Sequence, residues 1–297
     1  MQITVTTPTG HIGSKLANIL LNRKSDVTLI ARDPEKVKDL ASRGAKVIAG
    51  EHADPAVVEQ AVRGADALFW LTPSEMTSHD PLGTARRMAD AGASVIRKHP
   101  DLHVVQLSSA GAFLPSGTGP IVGLYDTENK FRAAGKNIVS LRPNEFMENV
   151  FFSLPTIIGQ DSIYTSIPGS VKAPFIATQD IAEIAAEFLL NPIDGCHVVD
   201  IIGPQDISLD EWARIAGEAI GKPIRVVTVP GSKLKSAMSQ SGMSPEMAAL
   251  LVEMEEAYPK IQGQFKGEQK RVGKVTFSQF AQEVFAPGYK QAVRSAA

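Results

Sequence analysis

The sequence predicts an α/β protein: a doubly wound parallel sheet with a smaller C-terminal α/β cap. Through the first 145 residues, short, continuously apolar, β-branched runs alternate with single helix-length segments. Strands of that kind are buried on both faces, as in a parallel sheet covered by crossover helices. Two of the helical segments open on Asp–Pro and close on glycine, and the first strand passes through a glycine-containing loop directly into a helix. Right-handed crossovers wind such units into an open sheet that binds ligands at the carboxyl ends of its strands.

In order, ITVTT (3–7) is a short strand, and GHIGSKLANILLNR sets Ile12, Leu16, Ile19 and Leu20 on one helical face. DVTLIAR (26–32) is the second strand. In DPEKVKDLASRG, Asp33 is placed to cap a helix, Pro34 to take its first position and Gly44 to close it. KVIAG (46–50) is the third strand, and DPAVVEQAVRG (54–64) repeats the Asp–Pro start and glycine stop. ALFWLTP (67–73) is the fourth strand, with Trp70 in the core, and a long helix covers Pro81 to Lys98. HVVQLSS (103–109), a helix over 122–134 and NIVSLRP (137–143) complete the regular part.

Beyond residue 145 the rhythm loosens. NEFMENVFFSLPTIIG reads as a helix broken near Pro155, and SIYTSIPG as a turn-rich piece. TQDIAEIAAEFLLN (178–191) reads as a helix capped at Thr178 or Asp180. HVVDIIG (197–203) and PIRVVTVP (223–230) are strands, SLDEWARIAGEAIGK (208–222) carries a Ser208–Glu211 capping box, and SPEMAALLVEMEEAYPK (244–260) is a helix. The expected organisation is a nucleotide-binding unit over 1–145 and a smaller substrate or partner cap over 146–297, interleaved with the first.

The net charge of −2 offers no electrostatic footprint for nucleic acid or an anionic membrane. The most basic run, FKGEQKRVGK (265–274), is interrupted by Glu268 and reads as a solvated surface loop. Cys196 is the only cysteine, so there is no intrachain disulfide, and the six histidines lack HxxH or HExxH spacing, which argues against a catalytic metal. The chain opens on a strand with no basic-then-apolar leader, and no apolar run approaches the ~18 residues that span a bilayer. A cytoplasmic monomer or homodimer is expected.

The most informative stretch is TTPTGHIGSKL (6–16), where Thr7, Gly10 and Gly13 are spaced T-x-x-G-x-x-G between a strand and a helix. That context makes a phosphate-cradling loop, with Thr7, Thr9, Gly10, His11, Ile12 and Gly13 against a dinucleotide. Gly10 lets the backbone approach a pyrophosphate, Gly13 lets the helix pack against the sheet, and the helix N-terminus supplies free N–H groups. Thr7 stands where an earlier glycine is usual and costs little if it keeps β geometry. Arg32 ends the second strand nineteen residues past Gly13; an arginine there suits the 2′-phosphate of NADP(H), where an acid would select NAD(H). Its neighbour Asp33 is accounted for by capping. Asp54 lies at the adenine edge or caps the next helix, and Leu71, Thr72 and Pro73 end the fourth strand where loops meet ribose and pyrophosphate.

TPTGHIG, LIARDPEK, the LSSAGA after the fifth strand, ENKFRAAGKNIVSLRPNEFMENVF and FIATQDIAE together resemble the NmrA-like group of atypical short-chain dehydrogenase/reductase relatives. The resemblance covers about residues 1–220 in order, and Thr7 departs from the group's usual glycine. It implies a Rossmann-type fold, NADP(H) or NAD(H) in the first half and a small-molecule acceptor under the cap. Quinone-oxidoreductase-like and triphenylmethane-reductase-like members are enzymes. Others sense the cofactor's redox state and bind a protein partner without chemistry.

A short-chain dehydrogenase places a serine after the fifth strand, with Ser108 and Ser109 in that position here, and a Y-x-x-x-K pair on the following helix. The sequence reads LYDTENKF: Tyr125 is followed four later by Asn129, and Lys130 is one residue out of step, turned by roughly 100° on a helix. Asn129 can bond a ribose but cannot acidify a phenol. Tyr125 is a site residue or a packing residue, and the tyrosine–lysine mechanism is incomplete. That counts against alcohol oxidation more than against reduction of an already electrophilic quinone or dye. Asn144, Phe146 and Met147 in LRPNEFMEN, with Phe175, are candidates to line an acceptor pocket, Phe146 being equally placed for the core. The expected function is NADPH-dependent reduction of a quinone-like or other conjugated acceptor, with a non-enzymatic NADP(H) sensor that binds a protein partner as the alternative.

Overall fold

Strand β1 (Gln2–Thr6) leads into α1 (His11–Asn22) in the computed structural model, which describes residues 1–296. β2 (Asp26–Ala31) continues through a 3₁₀ turn (Pro34–Val37) into α2 (Lys38–Ser42), and β3 (Lys46–Ala49) into α3 (Pro55–Val62). β4 (Ala67–Leu71) precedes α4 (Pro81–Lys98), β5 (His103–Leu107) precedes α5 (Ile121–Ala134), and β6 (Asn137–Pro143) closes the series. The turn chemistry acts as read. Asp33 accepts from Glu35 N–H at 3.1 Å and Asp54 from Ala56 N–H at 2.8 Å, each with proline at the first helical position.

After Pro143 a 3₁₀ segment (Met147–Ser153) gives way to α6 (Leu154–Gln160), which has Pro155 in its first turn. β7 (Ser162–Thr165), β8 (Lys172–Ala173), α7 (Thr178–Leu190), β9 (Cys196–Ile202), β10 (Ile207–Ser208) and α8 (Leu209–Ile220) follow. β11 (Arg225–Thr228), α9 (Gly231–Gln240), α10 (Pro245–Ile261), β12 (Gln269–Val272), α11 (Phe277–Phe280), a π-helical turn (Ala281–Phe285) and α12 (Ala286–Ala296) complete the described chain. The Ser208–Glu211 capping box is present at the start of α8.

Eight strands form the central sheet in the order β12-β9-β6-β5-β4-β1-β2-β3, and every neighbouring pair is parallel. This is the doubly wound Rossmann-type sheet expected. One face is covered by α1 and α7, where Leu16, Leu20, Ile181 and Leu189 are buried with β1 and β5 side chains. The other is covered by α3, α4 and α5, whose Val58, Val95, Ile96 and Phe131 surround the fully buried Trp70. A third cluster around Trp212, Phe277, Phe280 and Phe285 holds the C-terminal layer together.

Three local expectations are corrected. The SIYTSIPG stretch contributes a real strand, β7, paired in parallel with β11. The basic run 265–274 is not all loop, because β12 adds to the edge of the central sheet beside β9. An edge strand keeps one side in water, so Lys270 can stay solvated while Arg271 lies over the Phe188 ring at 5.4 Å. At α7 the cap position is Ala177, and neither Thr178 nor Asp180 caps the helix. The Glu148 carboxylate instead takes the Thr178 N–H at 3.0 and 3.1 Å, and Asp180 accepts the N–H groups of Lys274 and Val275, each at 2.9 Å. Among the described residues no helix is long and apolar enough to cross a membrane.

Candidate cofactor and acceptor site

β1 sits between β2 and β4, so successive crossovers leave it in opposite directions and open a crevice at its carboxyl end. The β1–α1 loop lies there. Thr7 does not keep β geometry: its φ is +50°, a left-handed conformation that a β-branched residue adopts at a cost of roughly 1–2 kcal/mol. The turn demands it, because the Thr7 carbonyl must point back to accept the Gly10 N–H at 3.2 Å. The same carbonyl occupies the space beside Gly13, where any Cβ would overlap it, whereas a Cβ on Gly10 would lie 3.6 Å away in ordinary contact. Gly13 is therefore needed by the protein itself, and Gly10 leaves the loop surface bare.

No side chain caps α1 at Gly10, so the first-turn amides of His11, Ile12 and Gly13 remain available to an anion. The Thr7 hydroxyl is buried without a hydrogen-bond partner. A cradle with free amides and no acid in its first turn fits a pyrophosphate. Ile12 contributes only its amide, since its side chain is 4% exposed in the core. Thr9, Gly10 and His11 are exposed.

Beside this loop a groove of about 440 Å³ runs between Thr9 and Ser14 on one wall and Lys36 and Arg43 on the other. Arg32 follows β2 and is exposed. Its charge acts on His52, a residue absent from the expected site. His52 is 9% exposed, stands edge-on to Trp70 with ring centroids 5.2 Å apart, and has an unpartnered Nε2. Burial first, then Arg32, pulls its pKa down to about 4. Asp54, expected at this edge, is spent on capping α3. The only hint of His52 in the sequence is its position between the third strand and the Asp–Pro start.

At the end of β4, Leu71, Thr72 and Pro73 are partly exposed. The buried Thr6 hydroxyl, unnoticed in the sequence, donates to the Phe69 carbonyl at 3.2 Å and accepts the Leu71 N–H at 3.0 Å. Thr72 Oγ1 takes the Trp70 indole N–H at 3.0 Å.

The expected catalytic side chains are arranged differently. Ser108 is 4% exposed and donates to Glu128 Oε1 at 2.5 Å. Glu128 is gripped by Arg142 through Nε at 2.9 Å and a terminal nitrogen at 2.6 Å. The Ser108 hydroxyl thus belongs to a buried ion pair under the cleft floor, because an ionised carboxylate outcompetes any weaker acceptor. Ser109 is partly exposed beside it. Asn129 is exposed and folds back to the Tyr125 carbonyl at 2.9 Å, so it does not reach toward a ribose. Lys130 pairs with Asp90 at 2.6 Å and Asp126 at 3.0 Å, turned away as its register requires. Tyr125 is half-buried.

Of the acceptor-pocket candidates, Met147 is 2% exposed inside the C-terminal core, and Phe175 packs against that same core. Phe146 packs against the sheet core, its backbone bridging to Ile176. Asn144 keeps a polar side chain at the end of β6 and is met there by Tyr258 of α10, whose hydroxyl donates to Asn144 Oδ1 at 3.0 Å. Burial, and then the nearby Glu145, push the Tyr258 phenol above its usual range, and burial likewise raises Glu145.

α10 runs from the loop after β4 to the end of β6. Ser244 at its start bonds the Met76 carbonyl at 2.9 Å and the Ser78 carbonyl at 2.6 Å, and Glu246 meets His79 at 2.9 Å. Its middle lies against Gly119, where a Cβ would overlap the Leu250 carbonyl, and its last turn reaches Asn144. A further junction ties α1 to the segments after β6 and before α7: Lys15 pairs with Glu148 at 3.2 Å and bonds Thr178.

The profile of a family described as NAD(P)H-binding matches residues 8–192. An NAD(P)H azoreductase from Xenophilus azovorans is 27% identical over 255 residues, covering 85% of each chain. The NADPH-dependent quinone oxidoreductase QOR2 of Escherichia coli, solved with NADPH, superposes with a TM-score of 0.71 at 18% identity, covering 95% of this chain and 99% of that one. Triphenylmethane reductase from Citrobacter sp., solved with NADP(H), has a TM-score of 0.71 at 20% identity, covering 98% and 99%. At these identities the two structures establish a shared fold, which is the one the sequence motifs imply.

Proposed function

The chain belongs to the NAD(P)H-binding family, and from that premise we propose that it is an NADPH-dependent reductase of quinone-like or other conjugated acceptors. The observation that carries this is that one carboxyl edge of the sheet holds the uncapped start of α1 after β1 and Asn144 after β6, with α10 packed from the loop after β4 to Asn144. The azoreductase relative, similar over most of both chains, supports an electron-accepting, conjugated substrate. When bound, the reduced nicotinamide supplies the hydride.

The residues divide the work by position. The amides of His11, Ile12 and Gly13 hold the pyrophosphate, and Arg32, together with Lys36, holds the 2′-phosphate. Leu71, Thr72 and Pro73 flank the ribose, with Ser109 at the next strand end. α10 excludes water from the acceptor side. Among the described residues Lys130 is engaged by Asp90 and Asp126, so it does not form a tyrosine–lysine proton-donating pair with Tyr125. An acceptor that is already electrophilic can take its proton from water, so the missing pair does not favour a purely regulatory role. We place this activity in the cytoplasm.

Following NADPH absorbance with a panel of quinones, azo dyes and triphenylmethane dyes tests the proposal. Turnover of at least one class, with no oxidation of simple secondary alcohols by NADP⁺, is expected. NADPH binding without turnover of any acceptor would pass the chain to the sensor alternative.

A further inference from the structure

Asn144 is 5% exposed, and its side-chain oxygen accepts the Glu145 N–H at 2.8 Å and the Tyr258 hydroxyl at 3.0 Å. A backbone N–H can only donate, so the atom facing it is oxygen and the amide orientation is fixed. Tyr258, meeting the same oxygen, must also donate. The two contacts saturate that oxygen and leave the amide nitrogen as the outward end. Among the described residues this nitrogen bonds no protein group, nor is it one of the sealed, unpartnered side-chain atoms. It is a donor held in place with its acceptor still to come.

Its position says where that acceptor lies. The Pro143 carbonyl takes the Ala110 N–H at 2.9 Å, so Asn144 stands at the joined ends of β5 and β6. A dinucleotide with its pyrophosphate on α1 and its adenosine toward β2 and β3 lays the nicotinamide on this opposite side of the switch point.

We propose that Asn144, held nitrogen-outward by Glu145 and Tyr258, donates a hydrogen bond to a carbonyl oxygen bound at the nicotinamide end of the cleft. Tyr258 is the positioning residue, and because it rides on α10 the contact is complete only when that helix lies across the site. The carbonyl belongs to the nicotinamide carboxamide or to the acceptor; either presents an sp² oxygen to the same donor. The raised phenol pKa keeps Tyr258 protonated, so its donated bond persists at alkaline pH. The inference rests on the proposed cofactor placement and not on turnover.

Calorimetric titration of NADPH and of 2′,5′-ADP, which lacks nicotinamide, into wild type, Asn144→Asp and Tyr258→Phe tests this, with quinone KM measured on the same proteins. Asn144→Asp keeps an oxygen for Glu145 and Tyr258 but turns the donor into an acceptor. Thermal unfolding checks that each variant is folded. If the carbonyl is the cofactor's, NADPH affinity falls by about tenfold or more in Asn144→Asp and by less in Tyr258→Phe, with 2′,5′-ADP unchanged. If it is the acceptor's, NADPH affinity holds and quinone KM rises by about the same factor, in the same order of variants. A parallel loss of 2′,5′-ADP affinity, or no change beyond about twofold in any parameter of folded Asn144→Asp, overturns the assignment. Should wild type reduce no acceptor, the proposed activity fails separately and the NADPH titration alone decides: an unchanged affinity overturns the role of Asn144.

Discussion

The carbonyl oxygen of Thr7 fills the space that a side chain on Gly13 would need. Loop and helix are packed backbone to backbone at that point, which separates the roles of the two loop glycines. Gly13→Ala is expected to push the loop off α1 and weaken NADPH binding by about a hundredfold, with some loss of stability. Gly10→Ala meets only the 3.6 Å contact and is expected to leave the fold intact while blocking close approach of the pyrophosphate. Calorimetric titration beside thermal unfolding distinguishes them. Equal melting temperatures for the two variants would contradict the packing difference.

Thr7 itself is strained. Its left-handed φ of +50° and buried, unpartnered hydroxyl both count against the folded state. Thr7→Gly relieves both, offset by the roughly 0.5–1 kcal/mol of extra unfolded-chain entropy that glycine brings. A net gain of about 1 kcal/mol is expected in urea unfolding, with NADPH affinity kept. A less stable Thr7→Gly protein would show that the threonine methyl contributes packing that outweighs the strain.

Arg32 follows β2 and is exposed, and its neighbour Asp33 is engaged with the Glu35 N–H at 3.1 Å, which leaves Arg32 as the side chain proposed for the 2′-phosphate. NADPH is expected to bind more tightly than NADH. Arg32→Ala should lower NADPH affinity by roughly tenfold to a hundredfold and leave NADH nearly unchanged. A lesser loss is expected from Lys36→Ala. Equal wild-type affinities for the two cofactors would remove Arg32 from this role.

His52 links the same region to pH. Its pKa is lowered from 6.5 in the unfolded chain to about 4 in the fold, so between those values the unfolded state binds the extra proton. The contribution is fully present above pH 6.5 and is lost as pH falls from there toward 4, to the order of 3 kcal/mol in all. Urea unfolding from pH 7 to 4 should show this slope in wild type and a shallower one in His52→Gln. Identical slopes would mean that His52 titrates normally in the fold.

What the sequence by itself determined is what neighbouring residues decide. Apolar periodicity and the Asp–Pro starts placed the strand–helix units, including α4 over Pro81–Lys98, because capping and burial patterns act over one or two turns. The T-x-x-G-x-x-G spacing marked the loop, and the one-residue offset of Lys130 was enough to turn it from the cleft. Tertiary structure alone decided which partner each exposed-looking group finds. Ser108 bonds Glu128 twenty residues away, Glu148 holds the start of α7 thirty residues away, and Tyr258 reaches Asn144 across 114 residues. Local pattern carries no record of which element will lie opposite, so the left-handed turn at Thr7, the edge pairing of β12 and the roof of α10 emerge only when the whole sheet is packed.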